Sequence, residues 1–144
     1  MRMSEAGIAY LKQWEKCEAE AYLDVAGVPT IGYGTTKGVK LGMYVTEDQA
    51  EQMLRDDIYQ SEAAVNTLVK VMVLQFQFDA LVSLTYNIGV NAFRSSALLV
   101  ALNRNKTAEA ATQFARWNLV NGKVCAGLVA RRIQEKEMFE GRYA

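Results

Sequence analysis

The segment 46–68, TEDQAEQMLRDDIYQSEAAVNTL, constrains the fold of this chain more than any other. Thr46 followed by Gln49 three residues on is a capping box, in which a hydroxyl satisfies an orphan helical amide and an amide side chain reaches back. Glu47 and Asp48 suit the positive end of a helix. Behind them Ala50, Met53, Leu54, Asp57, Ile58, Ala64, Val65 and Leu68 recur at helical spacing, with Glu51, Arg55, Asp56 and Glu62 read as the solvated side. The pattern predicts a helix of about six turns at 1.5 Å per residue. Few small domains carry so long a helix. In a chain of 144 residues it reads as a spacer between two lobes.

The flanking segments fill in the lobes. A short helix begins at Ser4 and carries Ile8, Leu11 and Trp14 on one face, ending about Glu15. Residues 21–24 and 29–33 read as two strands of a hairpin, turned by Gly27 and Pro29. Glycines at 32, 34, 38 and 42 mark a loop-rich stretch, with a third short strand expected near 39–41. Segment 76–86, FQFDALVSLTY, is apolar almost all round and predicts the buried central helix, stopped by Gly89. Shorter helices are expected over 95–103, 107–117 (with Thr107 as cap) and 128–139. The run 71–74, VMVL, is expected to be buried. No heptad seam is evident, so a monomer is expected.

Composition narrows the chemistry. Half the residues, 51%, are apolar, enough for a core without metals or staples. Lys plus Arg and Asp plus Glu balance at 16 each, which argues against a nucleic-acid partner, since phosphate binding needs a basic excess. No apolar run of 18 residues exists, so no membrane insertion is expected. The N-terminus, MRMSE, lacks the apolar core of a secretory signal, which predicts synthesis in the cytoplasm and release by other means. There is no histidine and no CxxC pair, so neither a metal site nor a cofactor is expected, and any acid or base must be Asp, Glu, Lys, Tyr or Cys. Cys17 and Cys125 read as two buried thiols; a bridge between them would stabilise by roughly 4 kcal/mol in the chain-entropy model.

These limits throw weight onto the segment 14–36, WEKCEAEAYLDVAGVPTIGYGTT. Glu15 stands at a helix end beside Trp14. Asp24 follows nine residues on, next to an aromatic and just before a turn, and Thr30 opens Thr-Ile-Gly-Tyr-Gly. Cleaving a glycosidic bond needs one protonated carboxyl for the leaving oxygen and a second, ionised one for water or for the sugar itself. Glu15 fits the first role and Asp24 the second, with the Thr30 hydroxyl placed across the hairpin to hold water. Most acids in a chain are surface charges, and Glu18 and Glu20 lie close by as decoys; with only alanines around them, both are expected to be exposed.

The motif E-x8-D-x5-T, with Thr-Ile-Gly-x-Gly after it, resembles the phage-type lysozymes of glycoside hydrolase family 24. The likeness continues in order through TEDQAEQMLRDD, QFDALVSLTYNIG, FRSSALLVALN, AEAATQFARWN and GLVARR, so it covers nearly the whole chain. The resemblance implies that Glu15 is the general acid, Asp24 the second carboxylate and Thr30 the residue that positions water. It implies sugar contacts at Thr36, Tyr86, Ser96 and Gln113, with core packing the competing reading for Tyr86 and a helix cap for Ser96. Arg131 and Arg132 are similar to basic residues of the family's C-terminal helix, one expected to pair with an acid near Glu15 and the other to lie on a solvated face.

The chain also departs from the family pattern. Lys16 stands where glycine is usual after the acid, Thr35 where histidine is usual, and Cys125-Ala126 where proline is common before Gly127. A cation touching a general acid would lower its pKa, so Lys16 is expected to project into solvent. Such departures point to a divergent or engineered member.

The fold expected is therefore α+β and mainly α, a single lysozyme-like domain over 1–144. A β-hairpin lobe covers 15–60; a helical lobe covers 1–14 plus 61–144; the long helix joins them and a cleft runs between. The resemblance implies hydrolysis of the β-1,4 bond between N-acetylmuramic acid and N-acetylglucosamine in the peptidoglycan glycan strands of bacteria, after release from the host cytoplasm. Inversion is expected, with carboxyl groups about 6.5–9.5 Å apart. Two alternatives share the substrate: a lytic transglycosylase, against which Asp24 and Thr30 argue, and a wall-binding module without turnover. A helical regulatory protein would leave the glycine-rich hairpin unexplained.

Overall fold

The capping box at Thr46 forms: Gln49 N–H donates to Thr46 Oγ1 at 3.1 Å, and Thr46 N–H donates to Gln49 Oε1 at 2.9 Å. From it runs the 22-residue helix α2, Glu47–Leu68. The computed structural model describes residues 1–142. Before α2 come α1 (Glu5–Trp14), β1 (Glu18–Leu23) and β2 (Pro29–Gly32). After it come α3 (Gln75–Ile88), α4 (Val90–Arg94), α5 (Ala97–Asn103), α6 (Thr107–Thr112) with a 3-10 turn at Gln113–Arg116, a second hairpin β3 (Leu119–Val120) and β4 (Lys123–Val124), and α7 (Ala126–Phe139). Among the described residues the protein is mainly helical with two small antiparallel sheets, as the α+β reading expected.

The chain divides into two compact units, Ile8–Tyr59 and Met1–Gly7 with Gln60–Ala144. Both α1 and α2 contribute residues to each unit. In the first, β1 and β2 pair with Tyr22 opposite Thr30 and Leu23 opposite Pro29, with an irregularity between Glu18 and Tyr22. Ala21, Ile31 and Val39 form its apolar centre, packed by Met43, Val45 and Met53. The expected third strand at 39–41 is absent. The backbone that pairs with β1 lies further on, where Ala21 N–H donates to Met43 O and Val45 N–H to Ala19 O. Gly42, at φ 94°, turns the chain just before it.

In the second unit, α3 buries an unbroken run from Phe78 to Thr85, and Gly89 ends it at φ 97°. Ser4 caps α1, accepting from Gly7 N–H at 3.1 Å, and its own N–H donates to the buried Asp79 at 3.0 Å. Glu62, expected outside, is buried: it accepts from Met3 N–H at 2.6 Å and from Arg2 Nε at 2.9 Å. The charges of the N-terminal segment give it a reason to face inward.

Other expectations are corrected here. The run 71–74 is not buried, since Met72 is 96% exposed and Leu74 is exposed too. Thr107 is the first residue of α6 rather than its cap; Lys106 occupies that place with no side-chain bond. Arg131 and Arg132 are both buried, so neither lies on a solvated face. Cys17 and Cys125 are free and half-buried.

Candidate active site

Glu15 follows the last residue of α1, and its N–H still donates to Leu11 O at 2.9 Å, which fixes its backbone as a continuation of the helix. Beneath it the apolar face of α1 is anchored by the buried Ile8 and Leu11, and the ring of Tyr10 meets Trp14 edge-on at 6.4 Å. The Glu15 side chain is half-buried. It lies against the glycine loop: a methyl group built on Gly34 would sit 3.7 Å from Glu15 Oε2. Gly34 adopts φ 98°, a conformation that disfavours any side chain. On this side the carboxyl group thus faces backbone that carries no side chain.

Asp24 ends β1. Its Oδ1 accepts from Ala26 N–H at 2.9 Å and from Val28 N–H at 2.8 Å, so this carboxylate also organises the hairpin turn. Thr30 pairs directly with Tyr22 and stands diagonal to Asp24 rather than opposite it, because Asp24 N–H bonds Val28 O. The Thr30 hydroxyl donates to Val28 O at 2.9 Å, which leaves its oxygen free to accept. Thr36 is exposed in the loop beyond, its carbonyl accepting from Val39 N–H at 3.2 Å. Glu15, Asp24, Thr30 and Thr36 therefore share the Ile8–Tyr59 unit.

The neighbours expected to complicate this site do not crowd it. Lys16 is 88% exposed and its ammonium reaches Glu18 Oε1 at 3.5 Å. Glu20 is exposed, and Glu18 is half-buried rather than exposed. Thr35 is buried and its hydroxyl donates to Asp57 Oδ2 at 2.6 Å. Burial pushes the Asp57 carboxyl above its ordinary range, with Asp56 adding to the push and the Thr35 bond and Lys37 opposing it. The sequence reading assigns no site role to three residues with a hold on the glycine loop: Asp57, Glu47 and Lys12. The signal for Asp57 was its place inside the apolar stripe of α2, where an acid needs a partner.

Tyr86, Ser96 and Gln113 lie in the other unit. Tyr86 is half-buried on α3. Ser96 is buried as the cap of α5, accepting from Leu99 N–H at 3.1 Å and donating to Phe93 O at 2.7 Å, so its hydroxyl is committed at both ends. Gln113 opens the 3-10 turn, and its Oε1 is buried with no bonding partner among the described residues. The same unit holds a largely apolar cavity of about 650 Å³ lined by residues including Asn87, Arg116, Trp117 and Cys125; Tyr86, Ser96 and Gln113 do not line it.

Residues 12–135 match the phage lysozyme family. The chain is 49% identical over 142 residues to an endolysin of Bacillus phage PZA, covering 96% of this chain and 55% of that protein. It is 42% identical to an endolysin of Acyrthosiphon pisum secondary endosymbiont phage 1, covering 97% of this chain and 99% of that one. The fold superposes on the endolysin from Escherichia coli O157:H7 phage FAHEc1 with a TM-score of 0.93 at 42% identity, over 100% of this chain and 97% of the other. The chain thus spans about half of one curated relative and nearly all of another.

Proposed function

The chain belongs to the phage lysozyme family of glycoside hydrolases, and on that premise we propose that it hydrolyses the β-1,4 bond between N-acetylmuramic acid and N-acetylglucosamine in bacterial peptidoglycan. Glu15 gives its proton to the leaving oxygen. Asp24 takes the second carboxylate role, and the oxygen of Thr30 accepts a hydrogen bond from the attacking water. The observation that carries this reading is the Glu15 carboxyl set against the side-chain-free backbone of Gly34. A glycine at that place keeps a side chain out of the space beside the proton donor, where a sugar ring would have to come.

The Thr30 geometry supports the water role. Its proton is already directed to Val28 O, so a water bound there must donate to Thr30 and turn its own lone pair outward. Asp24 keeps one carboxylate oxygen beyond the turn amides it serves. Inversion follows if that oxygen draws the second proton from this water. Thr36, exposed at the loop's end, is the natural sugar contact of this unit; Tyr86 and Gln113 are proposed for the other. The two units are proposed as the lobes of one lysozyme-like domain that works as a monomer. Among the described residues no helix is long and apolar enough to cross a membrane, and the wall is the proposed site of action after release.

Clearing of a purified cell-wall suspension tests the reading. Glu15→Gln is expected to slow clearing by about 10²- to 10⁴-fold, the range for loss of a general acid. Clearing by Glu15→Gln at the wild-type rate would overturn the assignment. The products discriminate the rest: new reducing ends on muramic acid support hydrolysis, anhydro ends would mean a transglycosylase, and proton NMR of the first-formed anomer reads inversion.

A further inference from the structure

We propose that Asp57 is a positioning residue for this chemistry: through the Thr35 hydroxyl it fixes the loop 31–35 that lies against the Glu15 carboxyl. The proposal rests on the glycosidase reading above and adds to it a residue that touches neither sugar nor water.

The loop itself is poorly determined by its own backbone. Ile31 and Thr35 close it with reciprocal N–H to carbonyl bonds, each 2.9 Å. Between them stand Gly32 at φ 64° and Gly34 at φ 98°, residues with the widest conformational freedom. Something outside the loop must choose its conformation, and α2 supplies three contacts. Gly32 packs so closely on α2 that a methyl on it would lie 3.0 Å from the Ala50 side chain. The Tyr33 hydroxyl donates to Glu47 Oε1 at 3.3 Å. The Thr35 hydroxyl donates to Asp57 Oδ2 at 2.6 Å.

The third contact is the strongest polar one. Glu47 is exposed and its bond is long, so water competes for it. Asp57 is half-buried, its bond is short and charge-assisted, and Thr35 is buried. The Thr35 proton is directed to a side chain of α2, so the hydroxyl ties the loop to that helix. Its position in the chain matters as well: Thr35 directly follows Gly34, whose backbone backs onto Glu15 Oε2. A loop shift of an ångström would re-aim the acid or close the space beside it, and misplacement on that scale is enough to cost a large factor in rate.

Thr35→Val removes the donor and Thr35→Ser keeps it; Asp57→Ala removes the acceptor and Asp57→Asn keeps an oxygen at the same place. On soluble glycan-strand fragments, Thr35→Val and Asp57→Ala are each expected to lower kcat about ten-fold, with KM within about two-fold. Thr35→Ser and Asp57→Asn are expected to restore kcat to within about three-fold, and the double variant Thr35→Val/Asp57→Ala to be no slower than the slower single one. A purely structural bond would lower Tm yet leave kcat per folded molecule unchanged. Folded Thr35→Val and Asp57→Ala with wild-type kcat would therefore overturn the proposal, and either variant alone decides it if the other does not fold. Glu15→Gln run in parallel separates the two readings. If it loses activity while Thr35→Val and Asp57→Ala keep theirs, only this proposal falls; if it keeps full activity, both fall.

Discussion

Asp24 commits one carboxylate oxygen to two backbone amides, Ala26 at 2.9 Å and Val28 at 2.8 Å. The same side chain is therefore a candidate for chemistry and a clasp for the turn, and the two roles respond differently to substitution. Asn keeps an acceptor oxygen where Oδ1 lies but removes the charge. Ala removes both. Asp24→Asn should accordingly lose wall clearing while its Tm stays close to wild type. Asp24→Ala should lose clearing and also about 1 kcal/mol of stability, the net contribution of bonds to exposed turn amides that water can otherwise serve. Thermal unfolding followed by circular dichroism separates the cases; an Asp24→Ala protein as stable as wild type would mean that the turn does not depend on this carboxylate. The Thr30 hydroxyl shows the same doubling, since its proton is held by Val28 O. Spacing and resemblance make both residues candidates but do not disclose these backbone partners, because a turn's hydrogen bonds depend on dihedral angles that residue identity only biases.

Between elements, α1 and α2 are joined within the Ile8–Tyr59 unit by an ion pair from Lys12 to Glu51, with Arg55 on the same carboxylate at 3.1 Å. The Lys12 ammonium also lies 5.7 Å over the Tyr33 ring. The hydrogen bond to Glu51 raises the Lys12 pKa, and those from Lys12 and Arg55 lower that of Glu51. The lowered carboxyl contributes stability that is present above its unfolded pKa and lost as pH falls through the folded one. The raised ammonium contributes stability that is present below its unfolded pKa and lost as pH rises through the folded one. The Tm difference between wild type and Glu51→Gln should then be widest from about pH 5 to about pH 10 and shrink at both ends. A difference that stays constant from pH 3 to 11 would remove the ion pair as its source. Local signals of this kind were partly legible beforehand. The Thr46 box was read correctly because a cap is decided within four residues. The Asn121-Gly122 hairpin was overlooked although its signal is equally local: Asn121 at φ 51° and Gly122 at φ 78° are the left-handed pair that a two-residue turn requires. Met72 and Arg131 were misread for another reason. An apolar run or a basic pair says nothing of its surroundings, and the partners of Arg131 include Ser83, 48 residues earlier.

Across the whole molecule, two compact units predict two levels of stability, and the Glu135 cluster shows where the second unit is vulnerable. Glu135 on α7 is fully buried. Arg131 Nε lies 3.2 Å and Arg132 Nε 2.7 Å from its carboxylate oxygens, and the Ser83 hydroxyl of α3 donates to it. Burial holds its carboxyl above the ordinary range against the pull of Arg132 and Arg131. Such a cluster adds little over an apolar core, but removing one member leaves the others buried without compensation. Glu135→Gln keeps the size and strips the countercharge from two buried guanidiniums, at an expected cost of about 3–5 kcal/mol. That cost belongs to the unit containing α3 and α7. Native-state hydrogen exchange should show lost protection at amides from Phe78 to Thr85 and along α7, while Ile31 and Thr35 of the Ile8–Tyr59 unit keep theirs. The contrast has a physical basis: the second unit loses a buried countercharge, whereas the hairpin unit rests on Ala21, Ile31 and Val39, which Glu135 does not hold. Equal loss in both sets would mean that α1 and α2, whose residues belong to both units, bind them into one cooperative transition, and the two levels of stability would collapse into one.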